Sequence, residues 1–390
     1  MNFSFRILFV VILILKKLGR LAQLVEQLTL NQRVAGSTPA SPIQNTALEF
    51  IKDTKAHKEI KYRTSNIQDR MQNKDVWQGS TSLTIKENVM TDAAAALKEF
   101  KVTKKFFVGI DSDGCVFDTM GIKQRECFCP WTVGCFGLQP VAEAARECRV
   151  FADLFSKTRG ANRHKTLKRI LSELLPNHPQ VKQRGFKVPQ LPHYFAWVDD
   201  PKSVLSNDGL KKAIAEVKDP QAKKELEQAI DWSKKVNQAV TDIVKGIPPF
   251  PYVKESLEKI RPTADVIVVS ATPGEALVRE WQEHDIAKYA AVIAGQEMGT
   301  KAQHLEYATK DRYENDHVLM VGDAPGDLKA ARANNALFYP VNPGREAESW
   351  KRLHDEAFDR FIKGKYAGIY EQKLIAEFER CLPEKPPWEK

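Results

Sequence analysis

Long apolar runs are missing from this 390-residue chain: the run at residues 7–15 has nine residues, and a bilayer-spanning helix needs about 20. Such a run would suit a signal peptide, but the small residues of a cleavage site are missing too. Lys16, Lys17 and Arg20 stand where they should be. Neither secretion nor membrane anchoring is expected. Paired cysteines are lacking as well. Cys127, Cys129 and Cys135 read C-x-C-x5-C, without the C-x2-C pairs or the clear fourth ligand of a zinc module, so free thiols in a reducing cytoplasm are expected. No internal repeat is evident. With 43 % hydrophobic and 28 % charged residues, the composition excludes a collagen-like or wholly disordered chain and suits two or three folding units.

The net charge of +9 would suit a polyanionic partner if it were gathered on one surface. It is spread unevenly instead. Residues 1–89 hold 13 basic and seven acidic side chains, two thirds of the whole excess. That first quarter does not read as a folded domain, since residues 52–86 are polar and lack a sustained apolar period. Within it, GRLAQLVEQLTLNQRVAGSTPASP at 19–42 resembles the peptide obtained when a bacterial transfer RNA gene is conceptually translated. An amphipathic helix at 21–30 is the alternative. The resemblance implies that residues 1–89 are a spurious or disordered extension and that translation starts at Met90. With them set aside, a charge of +3 remains, and no nucleic-acid or membrane partner is expected.

From Lys104 the pattern changes. Residues 104–111, 265–270 and 317–322 are short, near-continuous apolar runs, as in strands buried on both faces of a parallel sheet. Weaker runs at 291–294 and 336–339 would add two more. Helical patterns at 252–260, 274–284, 301–308 and 327–334 alternate with them, which predicts a doubly wound α/β core. Between Asp118 and Pro248 lie 129 residues with no comparable run. They read as helices at 140–157, 163–175, 201–217 and 220–245, and an insertion of that length predicts a second, mostly helical domain. Ile247 to Pro251, IPPFP, marks the return to the core. The expected division is a core of 96–119 plus 247–342, a helical domain of 120–246, and C-terminal helices with a loose, Pro-rich tail at 343–390.

Each strong run ends at a polar residue of catalytic type, where sheets of this kind bind ligands. DSDGCVFD at 111–118 sets Asp111 and Asp113 two residues apart as a strand runs out. One carboxylate can attack phosphorus and form an acyl phosphate; the other can protonate the leaving oxygen and then activate water. Two such acids would repel a phosphate, so a cation with hard oxygen ligands is required, which favours Mg2+. GDAPGD at 322–327 adds Asp323 and Asp327 at another strand end. Ser270 offers a hydroxyl to a phosphoryl oxygen, and Lys301, near a helix start, can offset negative charge.

Together these segments resemble the four motifs of the haloacid dehalogenase superfamily, in order: DSDGCVFD, VIVVSATP at 266–273, GTK at 299–301 and VGDAPGD at 321–327. The resemblance implies a Rossmann-like core with a helical cap. It implies Asp111 as nucleophile, Asp113 as general acid and base, Ser270 as phosphate contact and Lys301 as charge-stabilising lysine. Mg2+ would be held by Asp111, Asp323, Asp327 and the backbone carbonyl of Asp113. Lys310 is the rival to Lys301 but falls late in its helix. An acid at position 113 implies a phosphatase or phosphotransferase, because a halide leaving group needs no proton. A mutase, or a non-catalytic phosphate- or metal-binding module, is the alternative. The large cap implies a small phosphorylated metabolite as substrate. Within the cap, Arg159 and Arg163 belong to a basic group broken by Gly160. They are candidates for binding a second anionic group, since guanidinium forks suit phosphate or carboxylate; a solvated helix start is the other reading. Trp131 and Trp197 read as packing residues, and Asp118 as orienting the loop that leaves the strand.

Overall fold

The computed structural model describes residues 92–389. The run at 7–15, the segment at 19–42, Met90 and the whole expected extension 1–89 lie outside the described residues.

Five strands form one parallel sheet: β1 (Phe106–Ile110), β2 (Ala264–Val269), β3 (Val292–Ala294), β4 (Val318–Gly322) and β5 (Leu337–Pro340), in the order β3-β2-β1-β4-β5. Every residue of β1, β2 and β4 is buried, which is why they read as unbroken apolar runs rather than alternation. Their side chains divide by parity. Phe106, Val108, Val266 and Val268 enter one core, with Trp281 and Trp350, while Phe107, Ile267 and Val269 enter the other, with Met320 and Phe338. The two weaker runs are the edge strands β3 and β5. Ile110 is in register with Val268 on one side and Val321 on the other. Asp111, Ser270 and Asp323 therefore emerge beside one another, at the point where the strand order reverses.

Between Asp118 and Pro248 the regular elements are all helical, an α-helical cap inserted after β1. Its main helices are α1 (Ala142–Leu154), α2 (Arg163–Arg169), α3 (Pro192–Asp199), α4 (Asn207–Glu216) and α5 (Pro220–Ile243). Side chains of Asn162, Ser206 and Asp219 accept the N–H groups of His164, Gly209 and Ala222 at 2.9, 3.1 and 2.7 Å, fixing where α2, α4 and α5 begin. The sequence pattern missed α3, whose aromatic and apolar residues crowd successive positions instead of forming one stripe. The cap has its own core, with Phe128, Cys148, Leu171, Tyr194 and Trp232. Arg149 is buried in it between the rings of Phe128 and Trp232 and donates to Asp153 at 2.8 Å. Trp197 stacks on Tyr194, whereas Trp131 lies at the surface under Lys235. All six cysteines are free, and burial pushes the Cys129 thiol up to about 11. Among the described residues no helix is long and apolar enough to cross a membrane.

The two crossings between core and cap are tied to each other: the Phe250 N–H donates to the Val116 carbonyl at 2.8 Å, and Phe117 bridges to Pro249. Helix α6 (Ile369–Cys381) covers β5. The tail beyond it is not loose, as the sequence suggested, but returns to the cap. Its Trp388 ring packs against Phe151 and His178, with centroids 5.7 and 4.9 Å away, and the Glu384 carbonyl accepts from Arg169 at 3.0 Å. One large aromatic side chain buries enough area to hold a short segment.

His164 in α2 is buried, shares a hydrogen bond of 2.9 Å with the Tyr194 hydroxyl, and has Trp197, Trp232, Arg163 and Arg149 around it. Burial, and then the charges of Arg163 and Arg149, push its pKa down to about 4. The unfolded chain takes up this proton near pH 6.5 and the folded chain only near 4. Stability is therefore fullest above 6.5 and falls as the pH drops towards 4. In urea unfolding at pH 7.5 and pH 5, His164→Gln should lose less stability on acidification than the parent protein; equal losses would contradict this account.

Candidate active site

Asp111 and Asp113 lie where the chain turns sharply out of β1. The Ser112 carbonyl accepts the N–H groups of Cys115, Val116 and Phe117 at 3.3, 2.8 and 3.2 Å. Gly114 adopts a φ of +80°, and a Cβ there would come within 2.7 Å of Arg159 Nη2 and 2.8 Å of Asp323 Oδ2. Ser270 follows β2, and its hydroxyl accepts the Thr272 N–H at 3.2 Å. Thr300 and Gln303 cap α7 (Lys301–Thr309) reciprocally and so start that helix at Lys301. The Lys301 ammonium then reaches Asp111 Oδ2 at 2.8 Å and Asp327 Oδ1 at 2.6 Å. Asp327, in the first turn of α8 (Pro325–Ala333), turns its other oxygen back onto the N–H groups of Asp323 and Ala324 at 3.1 and 3.0 Å. Lys310 is exposed and faces Glu306 instead. Asp111, Asp113, Ser270 and Lys301 thus line one cavity of about 510 Å³. Asp118 is exposed and lies over Gly121, whose Cβ would meet its Oδ1.

Asp111, Asp323 and Asp327 are buried, and each offers an oxygen within 4.8 Å of the others. Burial pushes Asp111 well above the usual carboxylate range; Lys301 opposes this, while the charges of Asp327 and Asp323 add to it. Asp323 is also raised, by burial and by Asp327, against the pull of Arg159 and Lys301. Burial disfavours the Lys301 ammonium, but Asp111 and Asp327 keep it protonated. Asp323 Oδ1 has no hydrogen-bond partner and is sealed from solvent. An orphaned oxygen within buried, excess negative charge fits a divalent cation that prefers oxygen ligands, held by these three side chains.

Asp113 is held differently. The Lys123 ammonium lies 2.6 Å from its Oδ2, the Thr272 hydroxyl donates to the same oxygen at 2.8 Å, and the Thr119 hydroxyl donates to Oδ1. Burial by itself would raise this carboxyl, but the Lys123 charge and the three hydrogen bonds carry it below the usual range. These partners did not stand out in the sequence. One signal was available: Thr119 and Lys123 are four residues apart where a helix leaves the acidic loop, and that spacing puts both on one face.

The sequence model of a family described as haloacid dehalogenase-like hydrolase matches residues 196–341. That span holds Ser270, Lys301, Asp323 and Asp327, and the sheet delivers Asp111 and Asp113 to the same strand ends. Over that span the chain is similar to haloacid dehalogenase-like hydrolases. Similar solved structures include a haloacid dehalogenase-like family hydrolase from Streptococcus pneumoniae, 11 % identical, covering 64 % of this chain and 91 % of that one, with a TM-score of 0.33. Others are a hydrolase from Pseudomonas syringae, at 15 %, 64 %, 90 % and 0.35 for the same measures, and a HAD-superfamily hydrolase from Ehrlichia chaffeensis, at 14 %, 62 %, 89 % and 0.29. No curated protein matches the chain.

The cap reaches into the acidic cluster. Arg159, in the loop between α1 and α2, is 5 % exposed. Its Nε and Nη2 lie 2.7 and 2.5 Å from Asp323 Oδ2, and its Nη1 donates to the Leu154 carbonyl at 2.9 Å. The expectation that Arg159 meets a substrate anion is corrected here: its fork is already engaged by a buried carboxylate from across the domain crevice, which no local pattern discloses. Arg163 instead lines a second cavity of about 780 Å³, which shares Asp113, Met120, Gly160 and Thr272 with the first. Arg159→Met would leave Asp323 buried and unpaired, with an expected loss of about 3 kcal/mol. Urea unfolding with a chelator present measures it; added divalent cation should recover part of the loss, and a change below about 1 kcal/mol would show that the pair contributes little.

Proposed function

We propose that the protein is a magnesium-dependent phosphatase of small phosphorylated molecules, working through an aspartyl-phosphate on Asp111. The observation that carries this reading is the meeting of Asp111 and Asp113 at the end of one buried strand, with Lys301 on Asp111 and Ser270 on the same cavity wall. A carboxylate oxygen of Asp111 attacks phosphorus as the bond to the leaving oxygen breaks, and Asp113 delivers a proton to that oxygen. In the second half Asp113, as carboxylate, takes a proton from water; the water oxygen attacks phosphorus, releasing inorganic phosphate and restoring Asp111. Lys301 and the Ser270 hydroxyl face the charge of the transferring group. Mg2+ held by Asp111, Asp323, Asp327 and the Asp113 carbonyl would supply the positive charge that the cluster lacks.

Several features support a phosphate ester as substrate. Asp113 is unnecessary to a halide leaving group and useful to an alkoxide. The adjoining cavities of about 510 and 780 Å³ suit a small molecule under the cap. Free, buried thiols, with Cys115 inside the first motif, support a reducing, cytoplasmic setting. The full chain with Mg2+ should release inorganic phosphate from p-nitrophenyl phosphate, and chelator should abolish that release. Asp111→Asn should lower kcat at least about a thousandfold; hydrolysis retained in that variant would sink the covalent mechanism. Formation of an isomer from a sugar phosphate, without free phosphate, would replace the phosphatase by a mutase on the same chemistry.

A further inference from the structure

We propose that Arg163 anchors a second anionic group, a carboxylate or a second phosphate carried by the leaving group, so that the preferred substrates are phosphate monoesters with another negative charge. The proposal rests on the phosphatase reading above and names its substrate class.

Four observations lead to it. Arg163 opens α2 and lines the 780 Å³ cavity whose wall also includes Asp113, so one small molecule in that space can face both. Its side chain is half-buried yet makes no ion pair among the described residues, unlike its neighbours Arg149 and Arg159, which hold Asp153 and Asp323. It is also pre-organised. Nη1 donates to Ser233 Oγ at 3.1 Å and to Asn237 Oδ1 at 2.6 Å, and the guanidinium carbon lies 5.1 Å from the centre of the Phe128 ring. Finally, Nε and Nη2 have no partner among the described residues and are not sealed from solvent, so two donors of the fork remain for a ligand.

The surrounding charges agree with an anion at this end. Burial, and then the nearby Arg149, push the Arg163 pKa down to about 10, the effect of a cation left without a counter-ion. Asp153 lines the cavity too, but Arg149 neutralises it at 2.8 Å. Glu280, also on the wall, belongs to the opposite end, where Asp113 and Lys123 are among the charges that act on it. The wall also carries amides and hydroxyls, among them Asn162, Asn207 and Thr241, which suit a polar rather than an aromatic linker.

The test measures phosphate release by the full chain with Mg2+ on two matched pairs: 3-phosphoglycerate against glycerol 3-phosphate, and fructose 1,6-bisphosphate against fructose 6-phosphate. At least one doubly charged member should be favoured about tenfold or more in kcat/KM, and the pair concerned tells carboxylate from phosphate. In Arg163→Gln that preference should fall at least about tenfold, mainly through KM, and Arg163→Lys, which keeps the charge but not the fork, should recover part of it. No preference in either pair overturns the anchor, as does a preference undiminished in Arg163→Gln. If Arg163→Gln does not fold, the parent ratios and Arg163→Lys still decide. Release from p-nitrophenyl phosphate without any preference would reject the anchor and spare the phosphatase reading; no release from any ester would reject both.

Discussion

Burial of three carboxylates at the ends of neighbouring strands is the constraint on which the rest of the site depends. Asp111, Asp323 and Asp327 are at most 3 % exposed, and a carboxylate taken out of water is tolerated only when it is paired and hydrogen-bonded. The compensating groups come from separate parts of the fold. Lys301 stands at the start of α7 between Asp111 and Asp327, Arg159 comes from the cap to Asp323, and the N–H groups at the start of α8 hold the other oxygen of Asp327. Each depends on a local device: the Thr300 capping box, the Gly114 turn that makes room for Arg159, and the close approach of Gly322 to Asp327. The strand order brings the acids together, and the helix starts make their meeting bearable.

The cap consequently does more than cover a crevice. Any motion that withdraws Arg159 leaves Asp323 buried without its counter-charge, so closure and the charge balance of the site are linked. The paired crossings at Val116 and Phe250 and the tail strapped to the cap through Trp388 act in the same direction. A cation beside Asp323 Oδ1 would take over part of the work of Arg159. The cap is thus held most firmly when the acidic cluster has no other source of positive charge.

What could be read from sequence follows from which interactions are local. Strands buried on both faces announce themselves as apolar runs, and β1, β2 and β4 lie where those runs lie. Residues just beyond a strand end inherit their position from it, so Asp111, Ser270 and Asp323 are legible in the sequence, and Asp327 through its place in the helix that starts two residues after Asp323. Lys301 was legible through its place at a helix start. Pairings across the domain crevice were not. Arg159 meets Asp323 across 164 residues of sequence, and nothing near position 159 says that its fork is engaged. Helix α3 escaped because it is apolar on more than one side, and the tail because a proline-rich segment gives no sign of the surface its one tryptophan will meet.

Asp111 and Asp113, two residues apart, end in opposite electrostatic states. Burial and two like charges raise Asp111, with Lys301 only partly opposing them, whereas Asp113 has an ammonium and two hydroxyls of its own and is lowered. These directions run against a nucleophile at Asp111 and a proton donor at Asp113, since a nucleophile must be ionised and a donor protonated; a cation held by Asp111, Asp323 and Asp327 would lower Asp111 and narrow that gap. The source of the difference is where the positive charge comes from. Asp113 is served by Lys123, built into the helix that leads to the cap, so its state belongs to the protein alone. Asp111 shares Lys301 with Asp327, and one ammonium cannot satisfy both while Asp323 adds a third charge nearby. Asp111 therefore depends on a bound cation for its charge balance, and Asp113 does not.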